Sequence, residues 1–296
     1  MKGSMRNKFI ALLGVASLGL IGCGDSSAEA ESASGDDKQV TIGYVVWDEV
    51  LAPTYLWKHI LEDQGYDVEL TQLEIAAVYA GVSQDDMDLY IGGLPETHAD
   101  YWEEYSDGFE PVVEWYTPLR HGLAVPEYVT DVNEIGDLSG QADRFGDQIV
   151  GIEAGSGLMQ ELEAAEGAYD LSGYETTGSS TAAMLQEFET ATNSEEDIVA
   201  TVWNPHWAVG EYNMKFLDDP EGVFTDGDTY TVVASKQASQ NQELMDLLAG
   251  FELEDEEFYD LLGELREAGE GNEDQAIENW LDDEGNQQLV DGWLQE

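Results

Sequence analysis

QVTIGYVVWDEVLAPTYLWKHILEDQGYDVELTQLEIAAVYAGVSQDDMDLYI, residues 39–91, decides the fold class. Gln39 to Val46 reads as a strand, Pro53 to Gln64 as a helix, and Asp67 to Leu73, which alternates polar and apolar residues, as a second strand. Gly65 sits where a helix C-cap is expected. A further helix from about Ala76 to Gln84 precedes a short strand, Met87 to Ile91. Strand-helix-strand-helix-strand predicts an α/β architecture, and the helical crossovers require parallel pairing.

Downstream, the apolar runs His121 to Val125 and Thr229 to Ala234 read as strands that cross between two lobes. The block between them has its own strand candidates, Gln148 to Glu153, Tyr174 to Thr177 and Ile198 to Trp203, with helices from Gly157 and Thr181. About 258 residues follow Lys38, near the upper end for a single core, so two lobes are expected. The expected division is residues 39–121 with 228–296 in lobe 1 and residues 122–227 in lobe 2, the crossover strands serving as a hinge. From Asn241 onward the chain is acidic and helical, with Leu244, Leu247, Leu248 and Phe251 at helical spacing, and is expected to pack back on the first lobe. Trp280 and Trp293 in this tail read as core or surface anchors.

Toward the other end, Lys2, Arg6 and Lys8 precede an uncharged, mostly apolar run from Phe9 to Gly22, the pattern of an export signal and too short to span a bilayer. The run ends in Leu20-Ile21-Gly22-Cys23, which resembles the lipobox of bacterial lipoproteins. That resemblance implies a signal peptide over 1–22 and lipidation of Cys23, the one cysteine of the chain. Residues 23–38, rich in Ser, Ala, Asp and Glu without apolar periodicity, read as a lipidated cysteine and flexible tether. The body is therefore expected outside the cytoplasm, held to the cell membrane by its lipid.

The chain carries 64 acidic and 10 basic residues, a net charge of −54, which excludes nucleic acid as a partner. With 42% hydrophobic residues and eight tryptophans the excess is not a sign of disorder. It reads as adaptation to high salt, where the Debye length falls to about 3 Å at 1 M and repulsion is screened. A cation-binding acidic surface is the alternative, but Asp85-Asp86-Met87-Asp88 lacks the spacing of a calcium loop.

Three segments place aromatic, glycine or histidine residues just beyond strands, where open α/β sheets hold ligands. They are Gly43-Tyr44-Val45-Val46-Trp47-Asp48-Glu49, then Leu94-Pro95-Glu96-Thr97-His98, then Gly155-Ser156-Gly157-Leu158 together with Val202-Trp203-Asn204-Pro205-His206-Trp207. From about Val40 to Val233 the order and content of these segments resemble the glycine betaine and proline betaine binding proteins of ABC importers. The resemblance implies a two-lobed type II periplasmic-binding-protein fold and a partner permease. It also implies a tryptophan cage for the trimethylammonium head, formed here by Trp47 and Trp203, with His98 and the backbone amides of Gly157 and Leu158 for the carboxylate. A quaternary ammonium has no hydrogen to donate, so aromatic faces rather than hydrogen bonds must hold it.

In one place the chain departs from that pattern. Members with three cage tryptophans carry one directly before the Leu-Pro-x-Thr-His segment, where this chain has Gly93. Tyr90, Tyr101, Trp102, Trp115 and Tyr116 are candidates to fill the gap, or the pocket is larger and suits choline, carnitine or another cationic solute. Trp207 packs under the loop in the plainer reading.

No catalytic residue, cofactor or metal ligand is expected. Ala154 breaks the nucleophile-elbow pattern around Ser156, and no phosphate loop is present. A metal-dependent enzyme using His98, His121 and His206 is the remote alternative, though their spacing matches no ligand motif. A purely structural surface lipoprotein would not need the three segments.

Overall fold

A computed structural model describes residues 38–295; the expected signal peptide, Cys23 and the tether up to residue 37 lie outside the described residues. The opening run forms β1 (Gln39–Tyr44), α1 (Asp48–Asp63), β2 (Asp67–Gln72), α2 (Ile75–Ser83) and β3 (Leu89–Gly93). β1 lies parallel to both β2 and β3, with Ile42 opposite Leu70 on one side and Leu89 on the other. Gly65, at φ +83°, turns the chain out of α1 through the left-handed region that glycine tolerates. Several limits differ from those read in the sequence, and two of them have a visible cause. α1 starts well before Pro53, because the Trp47 carbonyl accepts the Val50 and Leu51 amides at 2.9 and 2.7 Å, and the proline is carried inside the helix. β3 runs on to Gly93 because that residue pairs with Thr231, far along the chain.

α3 (Ala99–Tyr105) leads into β4 (Phe109–Pro126), much longer than the five-residue crossover expected. Beyond it come β5 (Gln148–Val150), α4 (Gly157–Ala168), β6 (Glu175–Thr177), α5 (Thr181–Ser194), β7 (Ala200–Asn204), α6 (Ala208–Glu211), β8 (Met214–Phe216) and β9 (Asp226–Ser235). The strands form one sheet in the order β2-β1-β3-β9-β4-β7-β5-β6, with β8 added to the end of β4. At its centre β4 and β9 run antiparallel, and their register shifts beside Pro111 and Pro118, which have no amide to donate. Parallel strands flank this pair, β2-β1-β3 on one side and β7-β5-β6 on the other. Loops leaving β1, β3, β5 and β7 carry the segments singled out in the sequence.

The tail folds as α7 (Gln242–Leu248), α8 (Asp255–Ala268), α9 (Glu273–Leu281) and α10 (Glu284–Trp293). Its aromatic residues clamp α1: Trp57 is fully buried, edge-on to Phe251 at 5.2 Å and stacked on Trp293 at 6.4 Å. Lys58 Nζ adds an ion pair to Asp274 at 2.8 Å. Trp280 and Trp293 are buried, so both serve the core. This packing fixes α1, and hence Trp47 at its N-terminus. Among the described residues no helix is long and apolar enough to cross a membrane.

Candidate functional site

Trp47 caps α1 from the loop that leaves β1. Its indole N–H donates to Glu153 Oε2 at 3.2 Å, and Glu153 is itself held by the Thr181 amide and hydroxyl, both at 2.9 Å. With its polar edge committed, the ring has only its faces left to offer.

The loop after β3 is fastened from below. Asp228, buried on β9, accepts the amides of Glu96 and Thr97 at 3.2 and 2.8 Å, which places His98 at the start of α3. His98 Nδ1 lies 2.9 Å from the Tyr79 hydroxyl. Burial, with a smaller contribution from His121, lowers the His98 pKa to about 3, so the ring is neutral at physiological pH.

Across from this loop α4 begins. Ser156 caps it, its hydroxyl accepting the Met159 amide at 3.3 Å, and Gly157 and Leu158 follow as the first two helical residues. Amides at those positions have no carbonyl one turn back, and the helix dipole places positive potential there. A Cβ on Gly157 would come within 2.4 Å of Thr97 Cγ2 and 2.5 Å of the Thr97 carbonyl. Only glycine lets the helix start and the His98 loop meet so closely.

Trp203 stands on β7, 3% exposed, braced by His206 in an edge-to-face contact at 4.6 Å. His206 Nδ1 accepts the Ala208 amide at 3.1 Å, and the ring stays outside the cavity wall. Trp207 is also outside it, donating to Asp48 at 2.5 Å beneath the Arg266 guanidinium, which lies 4.0 Å over its ring.

Trp47, His98, Gly157, Leu158 and Trp203, the five residues expected from the sequence to bind ligand, line one cavity. About 300 Å³ of atom-free space lies within the cavity and its open mouth, of which about 20 Å³ is open to the centre of a water molecule. That is room for roughly one water.

Among the other wall residues, three carry groups that were given no place in the solute site expected from the sequence. His121, on β4, holds its Nδ1 2.7 Å from Glu161. Tyr230, on β9, contributes an aromatic side chain whose phenol burial keeps neutral. Glu49, one turn into α1, is 3% exposed, and its Oε2 has no hydrogen-bond partner, nor has the Trp203 indole nitrogen. Desolvation raises the Glu49 pKa to about 8; its own backbone amide and then the nearby Trp203 indole N–H oppose the rise, and Asp48 and Glu153 add smaller upward pushes.

None of the five residues proposed for the Gly93 gap lines the cavity. Trp102 donates to Tyr79, Trp115 to the Ile91 carbonyl, Tyr101 to the Gly155 carbonyl and Tyr116 to Asp255, while Tyr90 is sealed in the core. Gly93 itself leaves no room, because a Cβ there would sit 2.7 Å from the Thr231 carbonyl on the paired strand. The neighbour of that strand residue, Tyr230, is the third aromatic wall. Gly93→Ala should therefore lose about 1–3 kcal/mol of stability by overpacking, read as a lower urea midpoint at unchanged slope. An alanine variant as stable as the parent would mean that β3 and β9 separate freely at this point.

The family model for the substrate-binding domain of ABC-type glycine betaine transport systems, OpuAC, matches residues 38–283. Over 109 residues the chain is 34% identical to the glycine betaine/carnitine transport binding protein GbuC of Listeria monocytogenes, a stretch that covers 36% of each chain and so about a third of that relative. Lactococcal OpuAC, in its closed-liganded conformation complexed with glycine betaine, superposes with a TM-score of 0.80 at 26% identity, covering 87% of this chain and 100% of that one. The glycine betaine/L-proline-binding protein ProX from Borrelia burgdorferi superposes with a TM-score of 0.82 at 27% identity, covering 88% and 97%. The curled mixed sheet is that of the type II periplasmic binding proteins. With most of its length inside the match, the chain belongs to the family of substrate-binding domains of ABC-type glycine betaine transport systems.

Proposed function

We propose that the protein is the lipid-anchored extracytoplasmic receptor that captures glycine betaine, or a close quaternary-ammonium relative, and delivers it to an ABC permease for osmoprotection. The observation that carries this is the meeting, in one cavity, of indole walls with a neutral histidine and a helix N-terminus. Trp47, Trp203 and Tyr230 hold the trimethylammonium head through their ring faces, each such contact being worth about 2 kcal/mol when desolvated. His98 and the amides of Gly157 and Leu158 hold the carboxylate. Cys23 carries the lipid, residues 24–38 form the tether, and the acidic surface keeps the body soluble in strong salt.

Binding works by closure. Residues 39–121 with 228–296 form one lobe and residues 122–227 the other, with β4 and β9 as the hinge. A cavity with space for roughly one water is too tight for a betaine to slip into, so the lobes part to admit the ligand and close over it. Bonds between the two lobes hold the closed form, among them Trp47 to Glu153 and Tyr101 to the Gly155 carbonyl.

Choline is the second reading, and Glu49 favours it: a buried carboxyl on the aromatic wall suits a ligand of net positive charge. Titration at high salt with glycine betaine, proline betaine, carnitine and choline, followed by calorimetry and tryptophan fluorescence, separates the two. Glycine betaine is expected to bind most tightly, at micromolar or lower Kd. A ranking led by choline would transfer the assignment, and no binding by any of the four would end it.

A further inference from the structure

We propose that Tyr79 is a positioning residue that fixes the tautomer of His98, so that the imidazole offers an N–H at Nε2 to the ligand cavity. Tyr79, on α2, is fully buried, and its hydroxyl oxygen has three polar neighbours. The Leu94 amide donates to it at 3.3 Å and the Trp102 indole N–H donates to it at 3.1 Å. Both of these groups can only donate, so together they fill the acceptor capacity of the phenol oxygen. Its single hydrogen is left for the third neighbour, His98 Nδ1, at 2.9 Å. Burial holds the phenol pKa far above neutrality, so that hydrogen stays in place.

Consequently Nδ1 is an acceptor. Because the His98 ring is neutral, its one N–H must then be on Nε2, the nitrogen that makes no hydrogen bond within the protein among the described residues. A histidine of the opposite tautomer would present a lone pair to the cavity and repel a carboxylate. The arrangement is assembled from three elements, since α2 brings Tyr79, the loop after β3 brings Leu94 and His98, and α3 brings Trp102. Ring contacts add to it: Tyr79 meets His98 edge-on at 5.5 Å and stacks on Tyr101 at 5.4 Å.

The function of this tautomer rests on the proposal that His98 holds a carboxylate, whereas the tautomer itself does not. Nitrogen-15 NMR of ligand-free protein labelled at histidine tests the latter directly. The parent should show His98 with a protonated Nε2 and an acceptor-type Nδ1, and Tyr79→Phe should introduce the Nδ1–H form. A parent spectrum with the proton on Nδ1, or a Tyr79→Phe spectrum unchanged from the parent, overturns the proposal; should the variant not fold, the parent spectrum alone decides. In the binding arm, Tyr79→Phe should weaken glycine betaine about tenfold, the scale of one hydrogen bond to a charged group, while choline, which has no carboxylate, keeps its affinity. Equal losses for both ligands would reduce Tyr79 to a packing residue. If the parent binds no quaternary ammonium at all, the carboxylate role fails with the proposed function, and the spectrum still judges the tautomer.

Discussion

Trp203→Ala is expected to weaken glycine betaine binding by at least about 30-fold, the equivalent of one desolvated cation–π contact of about 2 kcal/mol. Trp203 is suited to a large effect because nothing else on β7 can replace its face. The ring is braced on one side by His206 at 4.6 Å and is 3% exposed, so packing orders the side chain. Truncation also opens a void in a residue that is 3% exposed, at a cost to stability of about 3–5 kcal/mol. Two effects therefore have to be separated. Calorimetric titration well below the melting temperature, with circular dichroism to confirm the fold, isolates the binding loss. Trp203→Phe keeps an aromatic face and should recover part of the affinity, which a purely structural account does not require. Parent-like affinity in Trp203→Ala would remove Trp203 from the cage.

The strand-helix alternation from Gln39 to Ile91 was legible because each element carries its own period, and the tail was legible because its leucines repeat on one helical face. Trp47, His98, Gly157, Leu158 and Trp203 were legible for a different reason: each belongs to a short segment in which several residue types coincide, and the structure places all five on one cavity. Tyr230 was not legible. It lies inside the run Thr229 to Ala234, which reads only as an apolar strand, and its place at the cavity depends on β9 pairing with β3 across a long stretch of chain. The same pairing settles Gly93, whose missing side chain looked like a gap to be filled nearby in sequence. The aromatic residues nearby in sequence do not fill it, because Trp115 and Tyr116 are drawn into the packing with Phe251 and Phe258 instead. Glu49 was visible beside Trp47, but an acidic residue in so acidic a chain carries no signal until its burial is known.

Affinity for glycine betaine is expected to rise with pH up to about 8 and then level off, and Glu49→Gln should abolish the rise. In the ligand-free protein burial holds the Glu49 carboxyl at about 8, so near neutrality it is protonated. The groups around it come from every side: Asp48 on its own helix, Glu153 across the cavity, the neutral phenols of Tyr90 and Tyr230, and the indole of Trp203. His98 and His121 complete the wall. A quaternary ammonium beside Glu49 favours the ionised form and lowers its pKa in the complex. Below about pH 8 binding then releases a proton, so raising the pH favours the complex, by at most tenfold per unit. Above that pH the carboxyl is ionised with or without ligand, and the dependence disappears. His98, held near 3, does not titrate in this window. Calorimetry from about pH 6 to about pH 9, on parent and Glu49→Gln, measures the slope; a parent affinity that falls toward pH 8, or a glutamine variant that keeps the parent slope, would overturn the assignment. The same field acts on both ends of the ligand. An ionised Glu49 attracts any cationic head but repels a ligand carboxylate held elsewhere in the same cavity, so choline should gain more than glycine betaine as the pH rises, and the choice between the two ligands becomes a function of one proton.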